Sequence, residues 1–456
     1  MRLSLRFLRG QEVFARVVQS SALTASSYAI TQALRLGSNL ILTRLLFPEA
    51  FGLMALVSVF LVGLQMFSDV GLGPAIAQNK RGDDPLFLDT AWTIQIVRGV
   101  LLWICTCLLA LPAAAFFDEP SLGYILPVAG LTLLIAGFNP TRIETAYRHL
   151  QIKRVIALDL TAQIIGMVCI VGLAWYMRSV WALVLGAIVG SMAKLVLMYI
   201  WLPGENNRLR WERSAGHDLI HFGKWIFFST ACGFLLAQGD KAILGKYLPL
   251  DALGIYNIGF FLASFPVLLV DMIVARVLIP LYREAPPAES VENYNRVRKM
   301  RFGLTGVALS GILLFAFSGV SLVNFLYDDR YAAAGAIVVV IASVQAIMVI
   351  GKTYDQAALA AGDSRVFFYL QLARAIIQTT LFLIGAEYGG LLGALAGLAI
   401  AYTLIHPMII VIARRFGVWD PLHDLVYFLI GLSLGALAIW LHLDEVLTLA
   451  LLSADG

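Results

Sequence analysis

The chain has 456 residues, 60% of them hydrophobic and 14% charged, with a formal net charge of +4 and a mean hydropathy of +0.83. Soluble domains carry about 25% charged residues, so this composition excludes an ordinary soluble enzyme and leaves room for about a dozen membrane spans. The positive excess sits in loops and makes no nucleic-acid footprint, and Cys105, Cys107, Cys169 and Cys232 all fall inside apolar runs, which argues against a disulfide framework or a metal cluster.

Residues 1–18 open the chain with Arg2, Arg6, Arg9 and Arg16 on one helical arc and Leu3, Phe7, Phe14 and Val18 beside it. That pattern suits an amphipathic segment on an anionic inner leaflet; a loose basic tail is the plain alternative. The arginines interrupt any signal-peptide core. Apolar segments follow at 19–46, 51–77, 88–114, 121–140, 155–177 and 179–203, which make an N-lobe over 19–203. A polar connector occupies 204–218. A second set at 219–246, 253–282, 302–326, 332–360, 366–386 and 389–413 makes a C-lobe over 219–413. One extra segment at 422–441 lies within 414–456. The expected fold is all-α and polytopic: two six-helix lobes around a central cavity plus about one extra C-terminal helix.

Two observations organise these segments. Gly37 to Gly71 is echoed from Gly239 under one fixed offset, which sets Gly37 on Gly239, Arg44 on Lys246, Glu49 on Asp251, Gly52 on Gly254 and Asp69 on Asp271. Matches of glycine and of charge sign point to an internal repeat, in parallel topology because an even number of segments separates the copies. Lys and Arg collect on alternate loops, at Lys80–Arg81, Arg142–Arg154, Arg208–Lys224 and Arg283–Arg301. The opposite side holds only Arg178, Lys241, Lys246 and Arg330. The positive-inside rule then puts the N-terminus in the cytoplasm.

With no sizeable loop domain, function must reside in the spans. Charge in hydrocarbon is costly and marks candidate sites. Arg35, Arg98, Lys194, Lys352 and Arg374 lie at depth, and together they could line one cavity that favours an anionic group such as a pyrophosphate. Structural ion pairs or snorkelling are the alternative for each. Asp69, Asp240, Asp271, Arg276 and Asp355 are candidates for gating or ion coupling, with helix-end pairing as the alternative. The chain lacks a Gly-Lys-Ser/Thr phosphate loop, a nucleophile elbow and clustered histidines. No cofactor or metal is therefore expected.

The stretch Leu42-Thr43-Arg44-Leu45-Leu46-Phe47-Pro48-Glu49-Ala50-Phe51-Gly52-Leu53 resembles a signature of bacterial polysaccharide-transport flippases, in the superfamily of multidrug, oligosaccharidyl-lipid and polysaccharide exporters. Phe67-Ser68-Asp69-Val70-Gly71-Leu72-Gly73 and Gly239-Asp240-Lys241 through Leu253-Gly254-Ile255-Tyr256 resemble two further stretches of that family. The resemblance implies alternating access and a polyprenyl-pyrophosphate-linked oligosaccharide moved from inner to outer leaflet for exopolysaccharide or O-antigen synthesis. It also implies an inner-membrane location, membrane lipids as surroundings, and a polysaccharide polymerase and export proteins as partners. The thirteenth segment departs from the family's usual twelve or fourteen. An ion-coupled small-molecule exporter is the nearest alternative, though it would favour acidic cavity walls. An integral membrane polymerase or glycosyltransferase would need a long outer loop with paired catalytic groups.

Overall fold

The computed structural model describes residues 26–453 apart from Val70 and Ala285; some side chains, Arg276 among them, lie outside the described set. The amphipathic segment expected at 1–18 also lies outside it. The described residues form α1 (26–45), α2 (Pro48–Phe67), α3 (Leu72–Gln78), α4 (Pro85–Phe116), α5 (Leu122–Ala129), α6 (Leu131–Gly137), α7 (Arg142–Arg148), α8 (Ile152–Met177) and α9 (Trp181–Trp201). Then come α10 (Arg213–Tyr247), α11 (Leu250–Glu284), α12 (Val291–Leu326), α13 (Ala334–Ala360), α14 (Ser364–Arg415), α15 (Pro421–Leu441) and α16 (Leu443–Thr448). The chain is all-α and polytopic. Nine helices among the described residues are long and apolar enough to cross a membrane, or up to ten with the bent pair Leu122–Gly137 and Arg142–Arg148.

The described part of every expected apolar segment overlaps one or more of these helices; residues 19–25 of the first lie outside the described set, and the second is broken between α2 and α3. Two of the segments share α14, whose 52 residues include non-helical backbone at Gly389 and Gly390. At ~1.5 Å per residue a straight helix of that length would reach ~78 Å, well beyond the ~30 Å hydrocarbon core. Gly390 has φ 54°, ψ −139°, a conformation that glycine reaches without a steric penalty, and the chain reverses there. Local sequence sets three helix starts. Asp84 accepts from Leu86 N before Pro85 starts α4, Asp420 accepts from Leu422 N and His423 N before Pro421 starts α15, and Ser290 accepts from Asn293 N before α12.

Helices inside a bilayer associate through close packing, because lipid already satisfies apolar side chains. Glycines supply the closeness: a β-carbon at Gly99 would fall 2.9 Å from the Gly137 Cα (α4 on α6), and one at Gly166 would fall 3.2 Å from the Gly190 Cα (α8 on α9). Trp175 and Trp440 are 72% and 68% exposed near helix ends, as interfacial anchors require.

The chain divides into two compact units. Unit 1 comprises residues 1–46 and 60–230; unit 2 comprises 47–59 and 231–456. This differs from the lobe boundaries read from the sequence at two places. The connector packs on unit 1, through hydrogen bonds described below, and carries the boundary to Thr230. The first turns of α2 pack within unit 2. There a β-carbon at Gly52 would lie 1.9 Å from the Leu250 carbonyl oxygen, and one at Gly254 would lie 2.0 Å from the Pro48 carbonyl oxygen. The contact maps onto itself under the repeat offset. Nearby, Arg330 lies over the Phe47 ring at 5.1 Å and Phe51 meets Tyr331 edge-on. The hub of unit 2 is α13, which packs against α11, α12, α14 and α15; 89% of its apolar window is buried.

Candidate transport site

Because α13 is enclosed on all sides, its polar residues must find partners in neighbouring helices. Asp355 receives the Arg374 guanidinium from α14 in a bidentate pair at 2.6 and 2.7 Å, and Gln371 supports the same arginine at 3.2 Å. Lys352 pairs with Asp271 of α11 at 2.8 Å. Lys352, Arg374, Gln371, Gln378, Tyr402 and His406 line a cavity of about 190 Å³. Gln378 and Tyr402 also line a smaller cavity of about 40 Å³ beside Asp240, whose carboxylate accepts a hydrogen bond from the Tyr256 hydroxyl at 2.8 Å. Unit 2 thus gathers Lys352, Arg374, Asp240, Asp271 and Asp355 from four helices around two adjoining cavities. Arg276 shares α11 with Asp271, its side chain outside the described set.

In unit 1 the expected cations are distributed differently. Arg98 donates to Ser68 Oγ at 2.9 Å and to the Gln65 carbonyl at 2.7 Å. Both acceptors sit where α2 ends. There Gly71 adopts left-handed backbone (φ 63°, ψ 36°) and its N–H bonds to Asp69 Oδ1 at 2.8 Å. Asp69 therefore fixes the break between α2 and α3, within electrostatic reach of Arg98 and Glu144. Lys194 pairs with Asp159 of α8 at 2.9 Å, a local tie between α8 and α9. Arg35 is exposed on α1. Lys352 and Arg374 meet at one cavity, while Lys194 and Arg98 each have their own partners within unit 1.

Sequence reasoning missed a buried cluster at the start of α15. Asp424 accepts from the Tyr354 hydroxyl at 2.8 Å and from Trp419 Nε1 at 2.9 Å; His423 Nδ1 lies 3.1 Å and His406 Nε2 3.4 Å from it. His423 Nε2 is 2.9 Å from Thr305 Oγ1. The neighbouring Arg301, 1% exposed, donates to the Tyr282 hydroxyl at 2.8 Å and lies 4.3 Å from the Tyr354 ring centroid. This network ties α12, α13, α14 and α15 together next to the larger cavity, since His406 lines both. The available signal was the pair His423-Asp424 one turn inside an Asp420-Pro421 helix start.

The connector is strapped to unit 1 by backbone as well as side chains. Arg208 N donates to Asp89 Oδ1 at 2.9 Å, Glu212 N to Thr90 Oγ1 at 3.1 Å, and Thr93 Oγ1 to the Arg210 carbonyl at 2.9 Å. Arg81 bridges Asp84 and Glu212, each at 2.6 Å. Those bonds hold the Glu212 carboxyl down at about 2, and Arg81 likewise holds Asp84 below the usual carboxylate range. A depressed carboxylate contributes stability above its ordinary value and loses it as pH falls through the folded value. Proteolysis of the connector is therefore expected to be flat from about pH 7 to 5 and to rise below about pH 4. Glu212→Gln should show the raised cleavage already at neutral pH. Equal cleavage of wild type and variant at neutral pH would remove the clasp.

The comparisons with known proteins agree with this architecture. A family model described as "Polysaccharide biosynthesis protein" matches residues 41–336. The chain is similar to the teichuronic acid biosynthesis protein TuaB of Bacillus subtilis (strain 168), 22% identical over 379 residues, covering 82% of this chain and 74% of TuaB. It is similar to the lipopolysaccharide biosynthesis protein WzxC of Escherichia coli (strain K12), 19% identical over 394 residues, covering 84% and 77% of the two chains. Among solved structures it resembles the lipid II flippase MurJ in an inward closed conformation, with a TM-score of 0.67 at 12% identity, covering 95% of this chain and 97% of MurJ.

Proposed function

The chain belongs to the polysaccharide biosynthesis protein family, and from that premise we propose that it is a flippase for lipid-linked oligosaccharides. Its cargo is a polyprenyl-pyrophosphate-linked repeat unit, carried from the inner to the outer leaflet of a bacterial inner membrane by alternating access between two repeat-related lobes. The self-mapping contact at Gly52 and Gly254 supports the repeat. Positive loops support a cytoplasmic N-terminus.

The observation that carries the reading is the unit 2 cavity, where Lys352 and Arg374 open onto one space lined by both polar and apolar side chains. A pyrophosphate can recruit these cations from their carboxylates, and the released Asp271 or Asp355 is then free to take a coupling cation or proton. Asp240, Asp69 and Arg276 are candidates for the same gating or coupling role. Polymerase and export proteins would receive the product. The family and the fold shared with the flippase MurJ support a transporter rather than an enzyme.

The test is polymer output in a host deleted for its own repeat-unit flippase, at matched membrane abundance. The wild-type chain is expected to restore polymer. Lys352→Ala removes one charge-assisted contact, worth roughly tenfold or more in affinity, and is expected to leave lipid-linked repeat units accumulated on the inner leaflet. Full polymer output from Lys352→Ala would move the pyrophosphate site elsewhere. Arg35→Ala, in the same assay, reports whether the exposed α1 cation shares that role.

A further inference from the structure

Unit 1 contains a larger cavity that the transport reading does not use. It measures about 500 Å³ and lies where the α3–α4 loop, α7, the start of α8 and the connector meet. That volume falls within the ~300–1,000 Å³ of small-molecule pockets. Its walls mix amides, hydroxyls, carboxylates and guanidiniums with the apolar Pro85, Leu88, Ala146 and Pro203, which suits a hydroxylated ring with an apolar face.

Much of this lining is committed to the fold. Arg142, 9% exposed, donates to the carbonyls of Glu205 at 2.9 Å and Leu202 at 3.1 Å and bonds Asn206 Oδ1. Asp89 holds Arg208 N. Asn207 exchanges hydrogen bonds with Thr141, 3.0 Å from its backbone N and 2.8 Å to its hydroxyl. Asp83 is taken by Arg148 at 3.0 Å and His149 at 2.8 Å, and its carboxyl is held below the usual range chiefly by the His149 bond.

The remainder is open. Gln151 Oε1 is buried without a hydrogen-bond partner; the residue stands at the N-cap of α8 yet makes no capping bond. A ligand hydroxyl in the cavity would give this oxygen a partner once the Gln151 side chain turns towards it. The Arg208 guanidinium on the rim has no ion pair or hydrogen bond among the described residues. Arg210 approaches Asp89 only to 3.9 Å. Against these donors the rim sets one uncommitted carboxylate, Glu205. Three guanidiniums (Arg142, Arg208, Arg210) and three carboxylates (Asp83, Asp89, Glu205) line the cavity, and the Arg208 guanidinium is the open cation at its mouth.

We propose that this cavity binds an acidic sugar: a hydroxylated ring whose hydroxyl donates to Gln151 Oε1 and whose carboxylate or phosphate meets Arg208 and Arg210. Resting on the flippase reading, the sugar is the glycan end of the lipid-linked substrate, held on unit 1 before translocation. The connector forms one wall, so glycan binding and connector position are linked.

Saturation-transfer NMR on the purified full chain tests the site with glucuronate, glucose 1-phosphate and glucose as probes. Signals are expected for the two acidic sugars and to be weaker for glucose. They should weaken roughly tenfold or more in Arg208→Ala and in Gln151→Leu, both surface-loop or cap changes that leave the helices intact. No signal from the acidic probes, or signals unchanged in both variants, overturns the site. The complementation assay then tests the source. A several-fold fall in polymer with the variants assigns the site to the transported glycan; full polymer with lost probe binding overturns that assignment in favour of a free acidic sugar. The NMR result stands even if the wild-type chain restores no polymer, so failure of the site and failure of the flippase reading are separable.

Discussion

Gly52→Ala and Gly254→Ala are each expected to lower the melting temperature of the purified protein and to cut polymer output severely, whereas Gly37→Ala does neither. The β-carbon added at Gly52 or Gly254 meets a backbone carbonyl at 1.9 or 2.0 Å, and a backbone cannot rotate out of the way. The start of α2 and the start of α11 must part by more than an ångström, which loses contact along the whole seam. Overpacking costs about 1–3 kcal/mol where side chains can adjust, and this site belongs at or above the top of that range. A β-carbon at Gly37 meets nothing within 4 Å, and alanine there gains helix propensity. The double variant sharpens the test. Both methyls press on one seam, so the second should add little once the first has opened it; full additivity would mean two independent sites.

The same glycines show how far the sequence could be read. The repeat offset places Gly37 on Gly239 and Gly52 on Gly254, and nothing in the pattern ranks the two pairs. Only coordinates reveal that one pair interlocks and the other borders open space. Span positions were legible because apolar runs of some twenty residues leave few alternatives. Even the reversal inside α14 was legible, as a gap between 386 and 389. Ion partners were not. Asp271 and Lys352 were both read as candidates but in different roles, since pairing between α11 and α13 depends on helix rotation, which hydropathy does not encode. Asp159, the partner of Lys194, sits early in α8 where it passes for a helix-end acid. Arg301 counts as a loop cation by position, yet α12 extends from Val291 and buries it. The open acceptor of Gln151 depends on how a polar connector folds back, and such a segment carries no periodic signal.

Arg374 and Asp355 provide the second large effect, and their separation into structural and transport roles can be measured. Asp355 is 7% exposed and the Arg374 side chain 17%. Removing one member leaves an uncompensated charge in a closed environment, which costs about 3–5 kcal/mol. Arg374→Ala and Asp355→Ala are therefore both expected to lose most of the folded protein from the membrane. Replacing the pair by two leucines removes both charges together, and such exchanges are often neutral or stabilising. The double variant should recover its abundance and melting temperature. If Arg374 also meets the pyrophosphate, polymer output stays lost in this well-folded protein, because no apolar side chain can take that part. Polymer returning with stability would make the pair purely structural and leave Lys352 as the cavity cation for the cargo. Depth alone singled out Arg374 as a cavity cation and Asp355 as a gating candidate, and nothing in the sequence paired them. The pair's bidentate geometry across α13 and α14, beside the cavity, is what makes stability and transport separable in one side chain.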